Sequence, residues 1–322
     1  AQGKVLTAPS ELDSLEDLLG ELKIIEGLGY STTSGAPFVP LEMSSLNEGP
    51  LTILAFENVL LSLGERAYET LWQGKLNQPG FADEAQLRAA LEKMVDYLHE
   101  LVRFAGGTTR ISWQGALRAV GKGDALFTVN GDWGWAQLVD GSADAVRATT
   151  FPGTRDAFVY TPDSFAVPRE QGKNGFAARA FLYDVLANEQ VLRDFSNRKH
   201  SLPPRSDLAD GLAELATDDQ RETYARFKYC SQGGEGCRLL LAVSGLAPAP
   251  GDRDRDGDGE DDDCYDDIEP LLRLLVTGEP LSDTEANQIC RRNRTTSVEV
   301  AEEKLIALLL ATSKQRFAAD CR

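Results

Sequence analysis

Residues 111–138 read ISWQGALRAVGKGDALFTVNGDWGWAQL and contain the clearest succession of secondary-structure signals in the chain. Trp113 precedes an amphipathic helical pattern, a G-K-G-D-A turn leads into a strand predicted at residues 125–129, and a G-D-W motif opens the next helix. Helices that alternate with strands along the chain are typical of α/β proteins. This stretch therefore predicts an α/β fold.

Upstream of this stretch, three apolar patterns predict helices. Leucines at helical spacing follow a start signal at Pro9-Ser10 and mark one buried stripe, Leu12, Leu15, Leu18, Leu19 and Leu22. Residues 51–64 are apolar on nearly all sides, so the helix predicted there is deeply buried. From Asp83, a predicted N-cap, a long amphipathic helix is marked by Leu87, Leu91, Met94, Leu98 and Val102.

Downstream, strand and helix signals alternate again. Strands are predicted at residues 158–161 and 164–167, and Pro168 closes the second of them. Residues 174–197 predict two helices, and a last helix is predicted near residues 297–317.

The order of these motifs resembles the central and late portion of the family 1 extracellular solute-binding proteins, the sugar receptors that feed ABC importers. The shared series comprises Trp113, the G-D-W motif with Trp133 twenty residues later, F-P-G-T at 151–154, D-S-F-A-V-P at 163–168 and K-H-S-L-P-P-R-S-D at 199–207. Upstream, A-F-E-N-V-L-L at 55–61 looks like the F-E-N-x-L-L helix of the family. The resemblance spans residues 9–207 and implies a type II periplasmic binding protein-like fold, mostly helical, with the ligand bound in a cleft between two lobes.

Sugar-binding members of this family place ligand contacts at four positions of the series. The resemblance carries these contacts over to Trp113, Trp133, Asp163 and Lys199. A pyranose stacks its apolar C–H face on an aromatic ring, and its hydroxyl groups form charge-assisted hydrogen bonds with a carboxylate or an ammonium group. We therefore expect a sugar site built from two tryptophans, one aspartate and one lysine.

Each of these residues also has a structural interpretation. A tryptophan at the start of a helix often packs as a lid on the core, and Trp135, which has no clear equivalent in the family, is predicted to be structural. Asp163 follows a proline and suits an Asx turn. Lys199 suits a solvated cation at the C-terminus of a helix, where the helix dipole favours positive charge.

Size and charge restrict the partners of the chain. Its 322 residues are enough for two lobes, and its formal net charge of −18 argues against nucleic acid, whose phosphates require clustered Lys and Arg. No run of 18 apolar residues predicts a transmembrane segment. The family usually has a further N-terminal third before the segment matched here. We expect a monomer in the periplasm or outside the cell. A removed N-terminal segment is expected to have served as a signal peptide or as a membrane tether, as in a lipoprotein.

Residues 252–263, DRDRDGDGEDDD, form a second and independent signal. Aspartates at loop positions one, three, five and twelve, with glycine at six and a carbonyl donor at seven, resemble the EF-hand, dockerin and thrombospondin type 3 calcium loops. The expected ligands are Asp252, Asp254, Asp256, Asp258 through its carbonyl group, and Asp263. Residues 252–269 contain eleven acidic and two basic side chains, a charge density that bound calcium would offset. Structural calcium is therefore predicted, and the alternative is a solvated acidic linker.

The five cysteines fit an oxidising compartment. Cys230 and Cys237 flank a Gly-rich turn and form either a local pair or two anchors for Cys264, Cys290 and Cys321. Spacing alone does not decide between these connectivities, and the odd number leaves one thiol free or paired outside this sequence.

The chain is not predicted to be an enzyme. It has no G-x-S-x-G, H-E-x-x-H or P-loop motif, and it contains two histidines. His99 is expected to be an ordinary half-exposed residue of a helix. His200 neighbours Lys199 at the expected cleft and has no nucleophile to activate.

Our leading interpretation is the non-catalytic capture of a sugar or short oligosaccharide in an interlobe cleft, for delivery to an ABC permease. Residues 1–229 are predicted to form the solute-binding lobes, without the N-terminal part of the first lobe, and residues 230–322 a cysteine-containing tail with the calcium loop and packing helices. The alternative is a divergent or truncated receptor scaffold that acts as a calcium-stabilised envelope or extracellular interaction protein. A secreted carbohydrate-active enzyme is a third and weaker interpretation.

Overall fold

The computed structural model describes residues 12–32, 35–43, 53–105, 112–131, 134, 138, 146–160, 172–199, 218–241, 271–272, 274–275 and 300–310, to which all structural statements below refer. Most of these residues are helical. The helices are α1 (Leu15–Gly27), α2 (Ile53–Leu60 continued by Leu61–Leu63), α3 (Glu65–Gln73), α4 (Glu84–Arg103), α5 (Trp113–Lys122), α6 (Gly172–Ala187), α7 (Glu189–Lys199), α8 (Asp218–Ser231) and α9 (300–310). No helix in these ranges combines the length and the apolar composition needed to cross a membrane.

The strands of the described ranges pair as two small parallel sheets. Strand β1 (Val39–Glu42) pairs with β2 (Ala125–Thr128), and β3 (Ala157–Tyr160) pairs with β4 (Arg238–Leu241). Parallel strands require a long crossover. The crossover from β1 to β2 contains α2 to α5, and that from β3 to β4 contains α6 to α8. The result is a mostly helical α/β arrangement with few strands.

The strand predictions are confirmed where the structure describes them. The strands predicted at residues 125–129 and 158–161 appear within one residue of those bounds. The strand predicted at residues 164–167 lies outside the described residues. Strand β4 follows the predicted domain boundary at residue 229 and pairs with β3, which precedes it.

One hydrophobic core joins α1, α2, α3 and α4 with residues 271–275 and α9. The five leucines predicted to form the buried stripe of α1 are at most 8% exposed. The apolar positions predicted for α4 are at most 6% exposed. The helical period of apolar residues therefore predicted correctly which faces of these two helices are buried.

His99 connects α4 to the helical residues 271–272 and 274–275. It is partly buried, and its Nε2 atom lies 2.6 Å from the carbonyl oxygen of Leu275. Because a carbonyl oxygen only accepts hydrogen bonds, Nε2–H is the donor. His99 therefore has a structural role in holding this segment against α4.

Helix α2, predicted at residues 51–64, is π-helical over most of its length. Ile53–Leu60 forms the π-helical part, and Leu61–Leu63 adds one α-helical turn. Ala55, Phe56 and Val59 have no exposed surface, as the apolar pattern on nearly all sides predicts. Apolar composition indicates burial but does not distinguish i→i+5 from i→i+4 hydrogen bonding, so the π-helical geometry was not predictable.

Capping boxes begin α1 and α4. The Asp83 side chain accepts a hydrogen bond from the Gln86 amide at 2.8 Å, and the Gln86 side chain accepts one from the Asp83 amide at 3.1 Å, which confirms the predicted N-cap. Helix α1 begins at Leu15, later than the predicted start signal at Pro9-Ser10. Its N-cap is Ser14, because the Ser14-x-x-Asp17 spacing satisfies two amide donors reciprocally.

A hydrogen bond at the surface ties α4 to α1. The Tyr97 hydroxyl group donates to the Glu16 carboxylate. The pKa of Tyr97 is raised to about 12, mainly by burial and secondly by this hydrogen bond. The same hydrogen bond is the main cause that lowers the pKa of Glu16. The contact therefore favours a neutral phenol and an ionised carboxylate at the junction of the two helices.

Helix α8 is attached to both strands of the second sheet. Cys230 and Cys237 form a disulfide, the local pair among the arrangements that spacing left open, and it joins the end of α8 to the start of β4. Arg226 of α8 donates from Nη2 to the carbonyl oxygens of Thr154 at 2.8 Å and Ala157 at 3.0 Å. Cys264, Cys290 and Cys321 lie outside the described residues.

The F-P-G-T motif forms a turn against α2. Gly153 has a φ of 79°, and a Cβ atom there would lie 2.9 Å from Cβ of Ser62. Both the left-handed backbone and the close approach require glycine. Thr154 Oγ1 donates to the Phe151 carbonyl oxygen at 2.7 Å and closes the turn. The motif therefore positions the entry into β3.

Candidate functional site

The described residues include part of the predicted sugar site. Trp113 and the backbone of Lys199 are described, whereas Trp133, Trp135, Asp163 and His200 lie outside the described residues. The predicted calcium ligands also lie outside them, namely Asp252, Asp254, Asp256, Asp258 and Asp263. Within the described ranges, no group of three or more His, Cys, Asp or Glu side chains is arranged to hold a metal ion.

Trp113 is the first residue of α5 and is half-buried. The Ser112 side chain caps the helix by accepting a hydrogen bond from the Gly115 amide at 3.2 Å. An N-cap fixes where a helix begins, because it satisfies an amide that has no partner within the helix. The Ser112 cap therefore fixes Trp113 as the first residue of α5, where it is half-buried.

Gly131 and Gly134, the described residues before and after positions 132 and 133, are joined by a backbone hydrogen bond, and we call this pair the Gly131–Gly134 turn. The Gly134 amide donates to the Gly131 carbonyl oxygen at 3.0 Å. The Asn130 side chain accepts from the Gly131 amide at 3.0 Å. A Cβ atom on Gly134 would lie 3.0 Å from Cδ1 of Leu117, which shows how closely this turn approaches α5.

This contact brings the start of α5 and the Gly131–Gly134 turn to the same side of the helix. Leu117, which Gly134 contacts, is four residues after Trp113, and residues at this spacing share one face of a helix. The sequence predicted Trp113 and Trp133 as one platform only through the family resemblance. The structure shows that Gly134, which follows Trp133 in the sequence, packs against α5.

The turn follows the carboxyl end of the β1–β2 sheet. Glu42 ends β1, lies opposite Thr128 of β2, and is only 7% exposed. Ligands of open α/β sheets bind outside the carboxyl ends of the strands. Glu42 is therefore a further candidate for polar contact with a ligand at this edge. The sequence analysis did not single it out, although a carboxylate that ends the apolar stretch F-V-P-L was a usable signal.

Lys199 is the last residue of α7. This position agrees with the predicted end of the second helix of the pair. It is compatible both with a ligand contact and with a cation placed at the negative end of the helix dipole. The role of Lys199 in sugar binding stays a prediction.

Comparison with known proteins finds two curated relatives. The chain is 26% identical over 279 residues to a protein of Mesorhizobium japonicum named a probable sugar-binding periplasmic protein, in a match that covers 77% of this chain and 61% of the relative. It is 26% identical over 208 residues to an uncharacterized ABC transporter extracellular-binding protein of Pyrococcus horikoshii, in a match that covers 62% of this chain and 42% of the relative. The chain thus spans about half the length of these relatives.

No family model matches the chain, and no solved structure matches it. Both relatives are named as binding proteins, and neither name describes an enzyme. The two similarities support the solute-binding family that the series of motifs predicted. The names of the two relatives include the words periplasmic and extracellular.

Proposed function

We propose that this chain is the sugar-capturing part of a solute-binding receptor, which takes up a sugar or short oligosaccharide in an interlobe cleft and delivers it to an ABC permease. The observation that carries the proposal is the similarity over 279 residues to a probable sugar-binding periplasmic protein. Capture is non-catalytic, and delivery depends on closure of two lobes around the ligand, a hinge motion that couples binding to recognition by a partner.

The geometry around α5 supports this proposal. Trp113 is half-buried at the start of α5, and Gly134, which follows Trp133 in the sequence, approaches the same helix at Leu117. Two indole rings at this helix would offer apolar faces to a pyranose. Asp163 and Lys199 are assigned to the hydroxyl groups, and the buried Glu42 ends the strand beside this turn. An aromatic platform with a few charged partners is the arrangement that a polyhydroxylated ligand requires.

Replacing Trp133 by alanine is expected to weaken sugar binding about tenfold or more, because an aromatic stacking contact contributes on the order of 1.4 kcal/mol. Trp113→Ala is expected to have a similar effect. Thermal-shift screening against monosaccharides and disaccharides identifies the ligand, and isothermal titration calorimetry then measures the affinity of each variant.

Tyr183→Ala is the matched control, because Tyr183 lies on α6 and is 73% exposed. Its affinity for the sugar is expected to equal that of the unmodified chain. Unchanged affinity in both Trp133→Ala and Lys199→Ala, for a ligand that the unmodified chain binds, would contradict the assigned site.

Calcium is the second part of this proposal, with a structural role at residues 252–263. Removal of calcium by chelator is expected to lower the melting temperature by roughly 5 °C, because an ion held at a hundred times its dissociation constant stabilises the fold by about 2.7 kcal/mol. The Asp254→Asn/Asp256→Asn variant is expected to lose this response, and Asp184→Asn on α6 to retain it. A melting temperature that chelator leaves unchanged would remove calcium from the proposal.

One observation favours the alternative of an interaction protein. Helix α6 exposes Phe176 by 79%, Phe181 by 66% and Tyr183 by 73%, and large apolar side chains this exposed often mark a protein contact. The same screen separates the two functions. A melting temperature that rises with one sugar supports the receptor, whereas a response to calcium and to none of the sugars supports the interaction protein.

A further inference from the structure

A cavity of about 440 Å³ lies at the amino ends of strands β1 and β2, whereas the candidate sugar site is assigned to their carboxyl ends. Its lining includes Val39, which pairs with Ala125 at the amino ends of the two strands. The candidate site lies beyond the carboxyl ends of these strands. The cavity is therefore a separate site, and its volume falls within the range that small-molecule sites occupy.

Two aromatic rings form a corner of this cavity. Tyr30 and Phe38 lie opposite each other in a short hairpin, in which the Phe38 amide donates to the Tyr30 carbonyl oxygen at 3.1 Å. Their rings meet edge to face, with centroids 6.2 Å apart and an interplanar angle of 82°. Tyr30 remains 52% exposed. About half of Tyr30 is therefore open to solvent, in a position that core packing does not require.

Backbone contacts hold the two arms of the hairpin together, so the aromatic pair is in place before any ligand binds. Ser31 bridges to Pro37, and the Thr32 amide donates to the Ala36 carbonyl oxygen at 2.8 Å. A rigid aromatic pair loses little conformational entropy when a ligand stacks on it. The arrangement therefore suits recognition of a flat or partly apolar surface.

Opposite charges complete the lining. Glu26, in the last turn of α1, and Arg103, at the end of α4, both line the cavity. The Arg103 guanidinium lies over the Phe104 ring, 4.4 Å from its centroid. Arg103 also pairs with Glu100 at 3.9 Å, and Glu100 pairs with Lys23 at 3.5 Å. These two acidic and two basic side chains carry no net charge together, so the cavity favours a neutral ligand with both hydrogen-bond donors and acceptors.

We propose that this cavity, which we call the Tyr30 pocket, binds one neutral pyranose unit of a glycan. The apolar face of the sugar stacks on Tyr30, its hydroxyl groups donate to the Glu26 carboxylate, and its oxygens accept from Arg103. The Tyr30 pocket is independent of the proposed transport cleft and would hold either a free disaccharide or a sugar unit of a polysaccharide.

The test uses the full 322-residue chain and a defined panel of cellobiose, maltose, xylobiose and chitobiose. Saturation-transfer difference NMR detects binding, and calorimetry measures affinity. At least one panel member is expected to bind with an affinity that Tyr30→Ala and Arg103→Met each reduce about tenfold. Tyr183→Ala, which truncates an exposed tyrosine outside the pocket, is expected to leave this affinity unchanged. Trp133→Ala is measured alongside to report on the transport cleft.

Each outcome decides the proposal. Binding that depends on Trp133 and not on Tyr30 supports the transport cleft and overturns the Tyr30 pocket, and so does the absence of binding by every panel member. Binding that depends on Tyr30 and not on Trp133 supports the pocket even where the cleft fails. Co-sedimentation with insoluble cellulose, xylan and chitin then distinguishes a polysaccharide source from a free disaccharide. An unchanged melting temperature of Tyr30→Ala shows that lost binding does not reflect unfolding.

Discussion

Replacing Phe56 by alanine is expected to lower the free energy of unfolding by about 3 to 5 kcal/mol. Phe56 has no exposed surface within α2, and its ring meets Trp72 edge to face with centroids 5.4 Å apart. Truncation removes the transfer free energy of the ring and leaves a cavity that the close-packed neighbours fill only in part. Urea unfolding followed by far-ultraviolet circular dichroism measures the loss.

Phe181→Ala is the matched control for this variant. Phe181 has the same side chain but is 66% exposed on α6, so its truncation is expected to change stability by at most about 0.5 kcal/mol. Equal losses in the two variants would contradict the placement of Phe56 in the core. A smaller slope of the unfolding curve in Phe56→Ala would show instead that cooperative unfolding had been disturbed.

Replacing Arg238 by methionine is expected to lower the free energy of unfolding by about 2 to 4 kcal/mol. Arg238 begins β4, and its guanidinium contacts both carboxylate oxygens of Glu69, Nη2 to Oε1 at 2.7 Å and Nη1 to Oε2 at 2.6 Å. Glu69 is only 7% exposed, so the variant leaves a buried carboxylate without its cation. Methionine preserves the apolar stem of the side chain.

The expected loss lies below the range for a fully buried pair because the Arg238 side chain is 52% exposed. Glu65 adds to the effect, since its Oε2 atom lies 3.6 Å from Nη1 of Arg238. Burial raises the pKa of Glu65, and Arg238 opposes this rise. In the variant, the Glu65 pKa is therefore expected to rise further.

Arg193→Met is the control for Arg238, because Arg193 pairs with Glu189 four residues earlier on α7 and should cost less than about 0.5 kcal/mol. Chemical denaturation of both variants measures the difference. Adding Glu69→Gln to Arg238→Met removes the stranded charge and should recover part of the stability. A loss in Arg238→Met no larger than that of the control would contradict this role.

The helices were the most predictable part of the fold. The buried leucines of α1 and the Asp83 cap of α4 depend on side chains within a few residues of each other, so local patterns report them directly. The start of α1 was predicted too early, because Pro9-Ser10 resembles a start signal and the Ser14–Asp17 capping box competes with it successfully.

The candidate sites were less predictable than the helices. Trp113 was selected by the family resemblance and not by any periodicity in the sequence. The packing of α5 against the turn after β2 became visible only through the close approach of Gly134 to Leu117. The Tyr30 pocket had no signal in the sequence. Arg103 follows Tyr30 by more than seventy residues, and nothing local to either residue indicates that both line one cavity.

The sequence alone was enough for the class of secondary structure, the buried faces of α1, α2 and α4, and the series of motifs that resembles the solute-binding proteins. The secondary structure and the buried faces depend on contacts within one turn or strand, so neighbouring side chains set the free energy of forming them. The series of motifs can be read directly from the order of residues. Only the tertiary structure decided that β4 pairs with β3, that Cys230 bonds to Cys237 and that Arg238 neutralises Glu69. The strand pairing and the ion pair join residues that are far apart in the sequence, and the disulfide depends on where α8 and β4 pack. Local patterns leave several partners equivalent for each of these contacts, so the packing of the whole core selects among them.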